Sequence, residues 1–188
     1  MPNDDELLRR SQQGDDSAMR ELVSSYQDRI FRMAFRVLGD GSRAEEATVD
    51  SLAAVWTRSR KWRGDCQAAT WIHRIAWSVI LDHHRARRSW WRYWELDDSA
   101  GSVAGEDSDP SQIVAEQDEQ AALKSRMEGA LRRLSPEDRL LIHMHYYEKQ
   151  SLAEIAVVLS TSRDALKMRL SRLREKLRAT LGGQHRIV

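Results

Sequence analysis

The sequence predicts an all-α protein of two small helical domains joined by a flexible acidic linker, the second domain a helix-turn-helix. Three observations carry that prediction. Apolar residues recur at helical spacing along most of the 188 residues and nowhere alternate over a length that suits a strand. The chain holds only three prolines and nine glycines, too few for a turn-rich β architecture. Residues 97–111, DDSAGSVAGEDSDPS, carry no large apolar side chain besides Val103, a composition that cannot bury enough surface to fold by itself.

The first domain, residues 1–94, reads as four helices. Leu7 and Leu8, then Met19, Leu22, Val23, Tyr26, Ile30, Met33, Ala34 and Val37, fall on one helical face. Gly14 offers a stop, the run Asp15, Asp16 and Ser17 a new N-cap, and Gly39 to Ser42 the next break. The stretch AEEATVDSLAAVWTRS gives a third helix, with Leu52, Val55 and Trp56 turned inward. RKWRGDCQ is a loop, and Ala69 to Arg88 is a long fourth helix that buries Trp71, Ile72, Ile75, Ala76, Val79 and Ile80. His73, Arg74, Trp77, Ser78, His83, His84, Arg85, Arg87 and Arg88 are left for its other faces.

The linker occupies 95–118 and the second domain 119–188. Helices are expected over Ile113–Leu134, Pro136–Tyr147, Leu152–Ser160 and Arg163–Leu181. Ser135 caps the second of these, with Pro136 at its first helical position. Ser151 and Glu154 have the spacing of a capping box, and Ser162 caps the last helix. Ile155, Ala156 and Leu159 share one face, and Leu166, Leu170, Leu173 and Leu177 share another across a joint of a few residues. That is the pattern of a helix-turn-helix.

Charge is distributed in blocks. The formal net charge is only +1, yet Arg60 to Arg92 is mainly cationic and every charge from Glu95 to Glu119 is negative. Basic residues dominate again from Arg163 to Arg178. Two polyanion-facing surfaces separated by an acidic tether would produce this order. On the last helix, the inward leucines leave Arg163, Lys167, Arg169, Arg172 and Arg174 outside. Early positions, Arg163, Asp164 and Lys167, suit base edges in a major groove, and later ones suit phosphates. The fourth helix interleaves tryptophans with cations, as a single-stranded nucleic-acid surface requires, although burial accounts for each tryptophan taken singly.

Other function classes find little support. No apolar run approaches the roughly 20 residues that span a bilayer, and the polar, acidic start does not read as a secretory signal. Cys66, the only cysteine, excludes an internal disulfide and a zinc ribbon, so a cytoplasmic setting and no cofactor are expected. Asp65 beside it should raise the thiol pKa. His83 and His84, next to Asp82, diverge around a helix and cannot easily hold one ion, and His143 and His145 point apart as well. No phosphate-binding loop, nucleophile elbow or HExxH pair occurs, so neither a metal site nor a catalytic centre is expected. A DNA-binding regulator working alone, and a metal-dependent nucleic-acid enzyme around Asp82, His83 and His84, are the competing readings.

From Asp5 to Leu181 the chain resembles the extracytoplasmic-function group of the sigma-70 family. The resemblance lies in GDDSAMRELVSSYQDRIFRMAFRVLGD, AEEATVDSLAAVW and WRGDCQAATWIHRIAWSVILDHHRARR, and in LRRLSPEDRLLIHMHYYEKQSLAEIAVVLSTSRDALKMRLSRLREKLR. It implies a promoter-specificity subunit that binds core RNA polymerase through the clamp coiled coil and the flap, reads promoter DNA and answers to an anti-sigma factor. Glu45, Glu46 and Asp50, with Leu52 and Trp56 as apolar support, would face the clamp. Arg63, Trp71, His73, Arg74, Trp77, Ser78, Asp82, His83, Arg85 and Arg88 would recognise and melt the −10 element, with a flipped base held near Ser78. Ser162, Arg163, Asp164, Lys167, Arg169 and Arg172 would read the −35 element. The chain departs from the group's pattern at Ser78, Val49, Ala47, Thr48, Ser160, Arg163 and Asp164. Ser160 stands where the group frequently has a glycine, and a positive φ there would cost about 1 kcal/mol.

Overall fold

Helix starts are set by short polar side chains that satisfy the free N–H groups of a first turn. A computed structural model describes residues 3–94, 126, 127 and 129–181, with the backbone alone at 87–94 and 181. The expected linker at 95–118, most of the helix expected over Ile113–Leu134 and the side chain of Arg88 lie outside the described residues.

Helix α1 spans Asp4–Gln12 and α2 Asp16–Leu38. Asp15 caps α2, accepting from the N–H groups of Ser17 and Ala18 at 3.0 and 3.1 Å. Such a cap is worth about 1 kcal/mol. The same carboxylate pairs with Arg10 at 2.6 Å, and these hydrogen bonds hold it well below the usual carboxylate range. Gly39, with φ 71°, ends α2 in the left-handed conformation that glycine reaches without strain. Asp40 caps α3, Gly41–Arg58, through the N–H of Arg43 at 2.9 Å. Ala44, Ala47, Thr48 and Ser51 are buried along α3, and the two hydroxyls bond back to carbonyls of their own helix. Small side chains there let α2 and α4 approach α3 on both sides.

A 3-10 turn, Ser59–Lys61, leads into the loop before α4, Ala68–Trp94. Trp62 is buried, with its indole N–H donating to the Cys66 carbonyl at 2.9 Å. Gln12 reaches the carbonyls of Ser59 and Trp62 at 2.9 and 2.8 Å, and Asp5 accepts from the Ala68 N–H at 2.6 Å. Helix α1 thereby fixes both the loop and the start of α4. That helix runs six residues past the expected end at Arg88, because SWWRYW contains no glycine or proline to stop it.

In the second lobe, the described residues 126, 127 and 129–132 are helical. The lobe continues through α5, Pro136–Ile142, a single π turn at His143–Tyr147, α6, Leu152–Leu159, and α7, Arg163–Leu181. Ser135 caps α5, the Ser151–Glu154 capping box opens α6, and Ser162 accepts from the Ala165 N–H at 3.1 Å to open α7. Leu166, Leu170, Leu173 and Leu177 are all buried, as their spacing predicted. Each such burial contributes about 1.5–3 kcal/mol.

The lobes touch. Helix α5 packs on α2, α6 packs on α4, and the buried side chains of both lobes form one continuous apolar cluster. Two expectations about α4 are corrected here. His73 and Trp77, assigned to its free faces, are 1% and 7% exposed. A third correction lies on α3, where Trp56, expected to point inward, is 44% exposed.

Candidate nucleic-acid interface

Three surfaces were expected to meet partners, and each has a distinct composition. On α3, Glu45, Glu46 and Asp50 are exposed and Leu52 is half-buried against the core. Val49 is 66% exposed. Residues 45, 49, 52 and 56 follow one helical stripe, so Val49 and Trp56 present an apolar strip flanked by carboxylates. Sequence reasoning assigned no role to Val49. Its spacing, four from Glu45 and seven from Trp56, was the available signal. Asp50 is tied back to α4 by His83 Nε2 at 2.9 Å.

On α4, the exposed residues Arg74, Ser78, Asp82 and Arg85 follow a single stripe, with His83 half-buried at its edge. Trp71 is half-buried and Arg63, in the preceding loop, is exposed. Trp71, Arg63 and Arg74, together with Lys61, Trp62, Asp65 and Cys66, line a cavity of about 350 Å³. Three cations and two indoles around one concavity suit a base with its phosphate. This cavity lies at the start of α4, a turn or more from Ser78, near which a flipped base was expected. The Cys66 thiol is pushed up, chiefly by burial, with Asp65 adding to it and Arg74 opposing.

His73 and Trp77 belong to a different environment. The His73 ring lies 5.7 Å from that of Tyr26, edge to face, and its Nδ1 is 2.9 Å from Gln150 Nε2 in the second lobe. Burial pushes His73 down to about 4, with the nearby Arg29 charge in the same direction. It is a neutral, packed ring at the lobe boundary, and in this arrangement it cannot touch DNA.

On α7, Arg163, Asp164, Lys167 and Arg172 are exposed, and Ser162 is the cap. Arg169 is different. Its Nε donates to Asp138 at 2.5 Å and its Nη2 to Ser135 Oγ at 3.0 Å, with Glu137 at 3.9 Å. This arginine ties α7 to the capped start of α5, which corrects its assignment as a free cation for DNA. Arg174 likewise donates to the Tyr146 hydroxyl at 2.7 Å. Among the described residues, no group of three His, Cys, Asp or Glu side chains could hold a metal ion, and no helix is long and apolar enough to cross a membrane.

An all-α chain with a helix-turn-helix lobe, a cationic second helix and a separate lobe bearing a tryptophan- and arginine-lined cavity defines a class built to meet nucleic acid. The description Sigma-70 region 2 matches residues 22–90, and Sigma-70, region 4 matches residues 130–179. The chain belongs to the sigma-70 family, in its extracytoplasmic-function group. It is similar to the ECF RNA polymerase sigma factor SigE of Mycolicibacterium smegmatis, at 30% identity over 88% of this chain and 63% of that one. It spans less than two thirds of SigE. It also resembles SigW of Bacillus subtilis, at 26% identity over 93% of this chain and 94% of that one. Among solved structures, CnrH in complex with the cytosolic domain of CnrY shares the fold, with a TM-score of 0.66, 22% identity and coverage of 97% and 99%. The sigma factor RpoE of Bartonella quintana, solved with the anti-sigma factor NepR, aligns with a TM-score of 0.66, 17% identity and coverage of 88% and 98%.

Proposed function

We propose that this chain joins core RNA polymerase and directs it to promoters carrying its own −10 and −35 elements. Residues 1–94 serve as the polymerase-docking and −10 lobe, 95–118 as the tether and 119–188 as the −35 lobe. Glu45, Glu46, Val49 and Trp56 form the docking strip, whose carboxylates suit a basic coiled coil and speed encounter. Arg63, Trp71, Arg74, Ser78 and Arg85 carry single-stranded −10 DNA, with the cavity before α4 taking a base flipped from the stack. Arg163, Asp164 and Lys167 enter the −35 major groove, and Arg172 neutralises phosphate.

The observation that carries this reading is the coexistence in one chain of the exposed acidic and apolar α3 strip with two separate cationic faces on α4 and α7. A regulator working alone leaves the α3 strip without a role. The chain contributes specificity and no catalytic centre of its own, and it works in the cytoplasm. Control by an anti-sigma factor fits the family and the two-lobed build, and RpoE, with the same fold, was solved in such a complex.

Run-off transcription with purified core polymerase, this protein and fragmented genomic DNA from its source tests the reading. Discrete transcripts that need the added chain are expected. Neither transcripts nor co-elution with core polymerase would favour a regulator that binds DNA unaided.

A further inference from the structure

Near the end of α2, that helix and the second lobe enclose a cavity of about 440 Å³. Phe31, Phe35, Leu131 and Ile142 supply its apolar lining, and Arg32, Arg36, Arg132 and Arg139 supply its charge. The Phe31 and Phe35 rings are stacked, with centroids 6.1 Å apart and planes 20° from parallel, and Phe35 is 48% exposed. A flat ligand ring can extend such a stack. Among the described residues, none of the four arginines has a carboxylate partner. Arg36 lies 3.6 Å over the Tyr147 ring. Arg139 donates from Nε to the Leu131 carbonyl at 3.2 Å, from Nη1 to that of Val37 at 2.8 Å, and from Nη2 to that of Arg132. Three neutral acceptors fix its plane and leave its charge unbalanced. Burial pushes the Arg139 guanidinium down, and the Arg132 charge adds to this. His143 lines the same cavity and is 1% exposed. Neither of its ring nitrogens has a hydrogen-bond partner, Glu148 being 3.7 Å from Nε2. Buried polar atoms are nearly always paired, and a neutral imidazole keeps one N–H to donate.

We propose that this cavity binds a small aromatic phosphate, with its ring against Phe35 and its phosphate among Arg32, Arg36, Arg132 and Arg139. Guanidinium groups match phosphate oxygens in pairs, which a solvated lysine does not do as well. An inorganic anion alone would leave the apolar lining wet. An apolar molecule alone would leave four charges unbalanced. A ligand that carries both groups satisfies both features, and the volume suits a molecule of one or two rings. Nucleotides are the common cellular members of that class. No lining residue belongs to the α3 strip, the exposed α4 stripe or the exposed face of α7. The site is therefore separate from the surfaces proposed for polymerase and promoter and does not rest on them. Residues of α2 and of the second lobe both contribute, so a bound ligand should raise the unfolding midpoint of the chain.

The test uses the full chain and 1-naphthyl phosphate, titrated by isothermal calorimetry. One saturable site is expected, with inorganic phosphate and 1-naphthol each weaker by about tenfold or more. Arg32→Gln with Arg132→Gln, both exposed, should lower the affinity about tenfold and leave the unfolding midpoint of the free protein in place. Phe35→Ser should bring 1-naphthyl phosphate down to the affinity of inorganic phosphate, with circular dichroism checking that the helices are kept. Arg20→Gln with Arg58→Gln, exposed cations outside the cavity, should bind as the wild type does. No saturable binding by the wild type overturns the site, and so does an equal loss in the two double variants. Inorganic phosphate binding as tightly as the naphthyl ester overturns the aromatic assignment. A thymine-only single strand that displaces the probe at equal nucleotide concentration would give these arginines to nucleic acid and overturn the small-ligand reading.

Discussion

The guanidinium of Arg29 donates to the carboxylate of Glu148 at 2.7 Å, joining residues 119 positions apart across the seam between the lobes. Burial alone would raise the Glu148 carboxyl, but the Arg29 hydrogen bond and charge outweigh it and hold the group below its ordinary value. His73 and His143 flank this pair. Each is 1% exposed and each is pushed down to about 4, chiefly by burial. His73 faces Arg29, Glu148 and Asp4, and His143 faces Glu148, Arg36 and Arg32.

That arrangement predicts instability in mild acid. The unfolded chain protonates these histidines near 6.5, whereas the folded chain resists until about 4. Stability is complete above the unfolded value and falls as pH drops through the window between the two. At pH 5 the loss is about 2 kcal/mol for each histidine. Denaturant titration at pH 7 and pH 5 should show it, and His143→Asn should reduce the slope. A midpoint that is the same at both pH values would mean that the rings are not held neutral.

The helices and their caps were legible because their causes are local. Asp15, Ser135, Ser151 and Ser162 cap where their spacing said, and α7 has the bounds the leucine period set. The lobe contact was not legible. Gln150 and His73 lie 77 positions apart, and nothing near either residue announces the other. His73 therefore read as surface, when Tyr26 and a residue of the second lobe lie against it. Arg169 was misread for a related reason: a cation opposite the leucine stripe looks free unless Asp138 and Ser135 are known to lie against it. The cavity before α4 needs Lys61, Trp62 and Arg63 folded back on Trp71 and Arg74, a closure that the loop sequence does not disclose.

Glu45 and Glu46 are both exposed, so their removal tests docking without disturbing the core. Glu45→Lys with Glu46→Lys should abolish co-elution with core polymerase while shifting stability by no more than about 0.5 kcal/mol per site, the usual range for surface changes. Val49→Asp should weaken docking too, through the exposed apolar strip. Retained affinity in the double variant would rule out α3 as the docking face.

Two cations on α7 should separate by role. Lys167→Ala should lower promoter binding by the holoenzyme and leave the unfolding midpoint in place, since Lys167 is exposed. Arg169→Ala removes charge-assisted bonds to Asp138 and Ser135, and a loss of about 1–2 kcal/mol is expected for these half-exposed groups. DNA affinity of the folded Arg169→Ala fraction should change little. Equal losses of DNA affinity in both variants, with equal stabilities, would return Arg169 to the DNA surface.

The turn of the helix-turn-helix contains a correctable strain. Ser160 has φ 52° and ψ 48°, and it ends α6 in the left-handed region. Around it, the Thr161 N–H donates to the Ala156 carbonyl at 3.0 Å and the Ser160 N–H to that of Val157 at 3.4 Å, a Schellman motif that glycine favours at its centre. A side chain in this conformation costs about 1–2 kcal/mol, while glycine adds roughly 0.5–1 kcal/mol of disorder to the unfolded chain. Ser160→Gly should therefore raise stability by about 0.5–1 kcal/mol. Because both backbone bonds persist, the angle between α6 and α7 is kept, and so is affinity for the promoter duplex. Thermal unfolding of the variant decides the point. A lower midpoint would mean that the Ser160 hydroxyl stabilises the turn by more than its backbone strain costs.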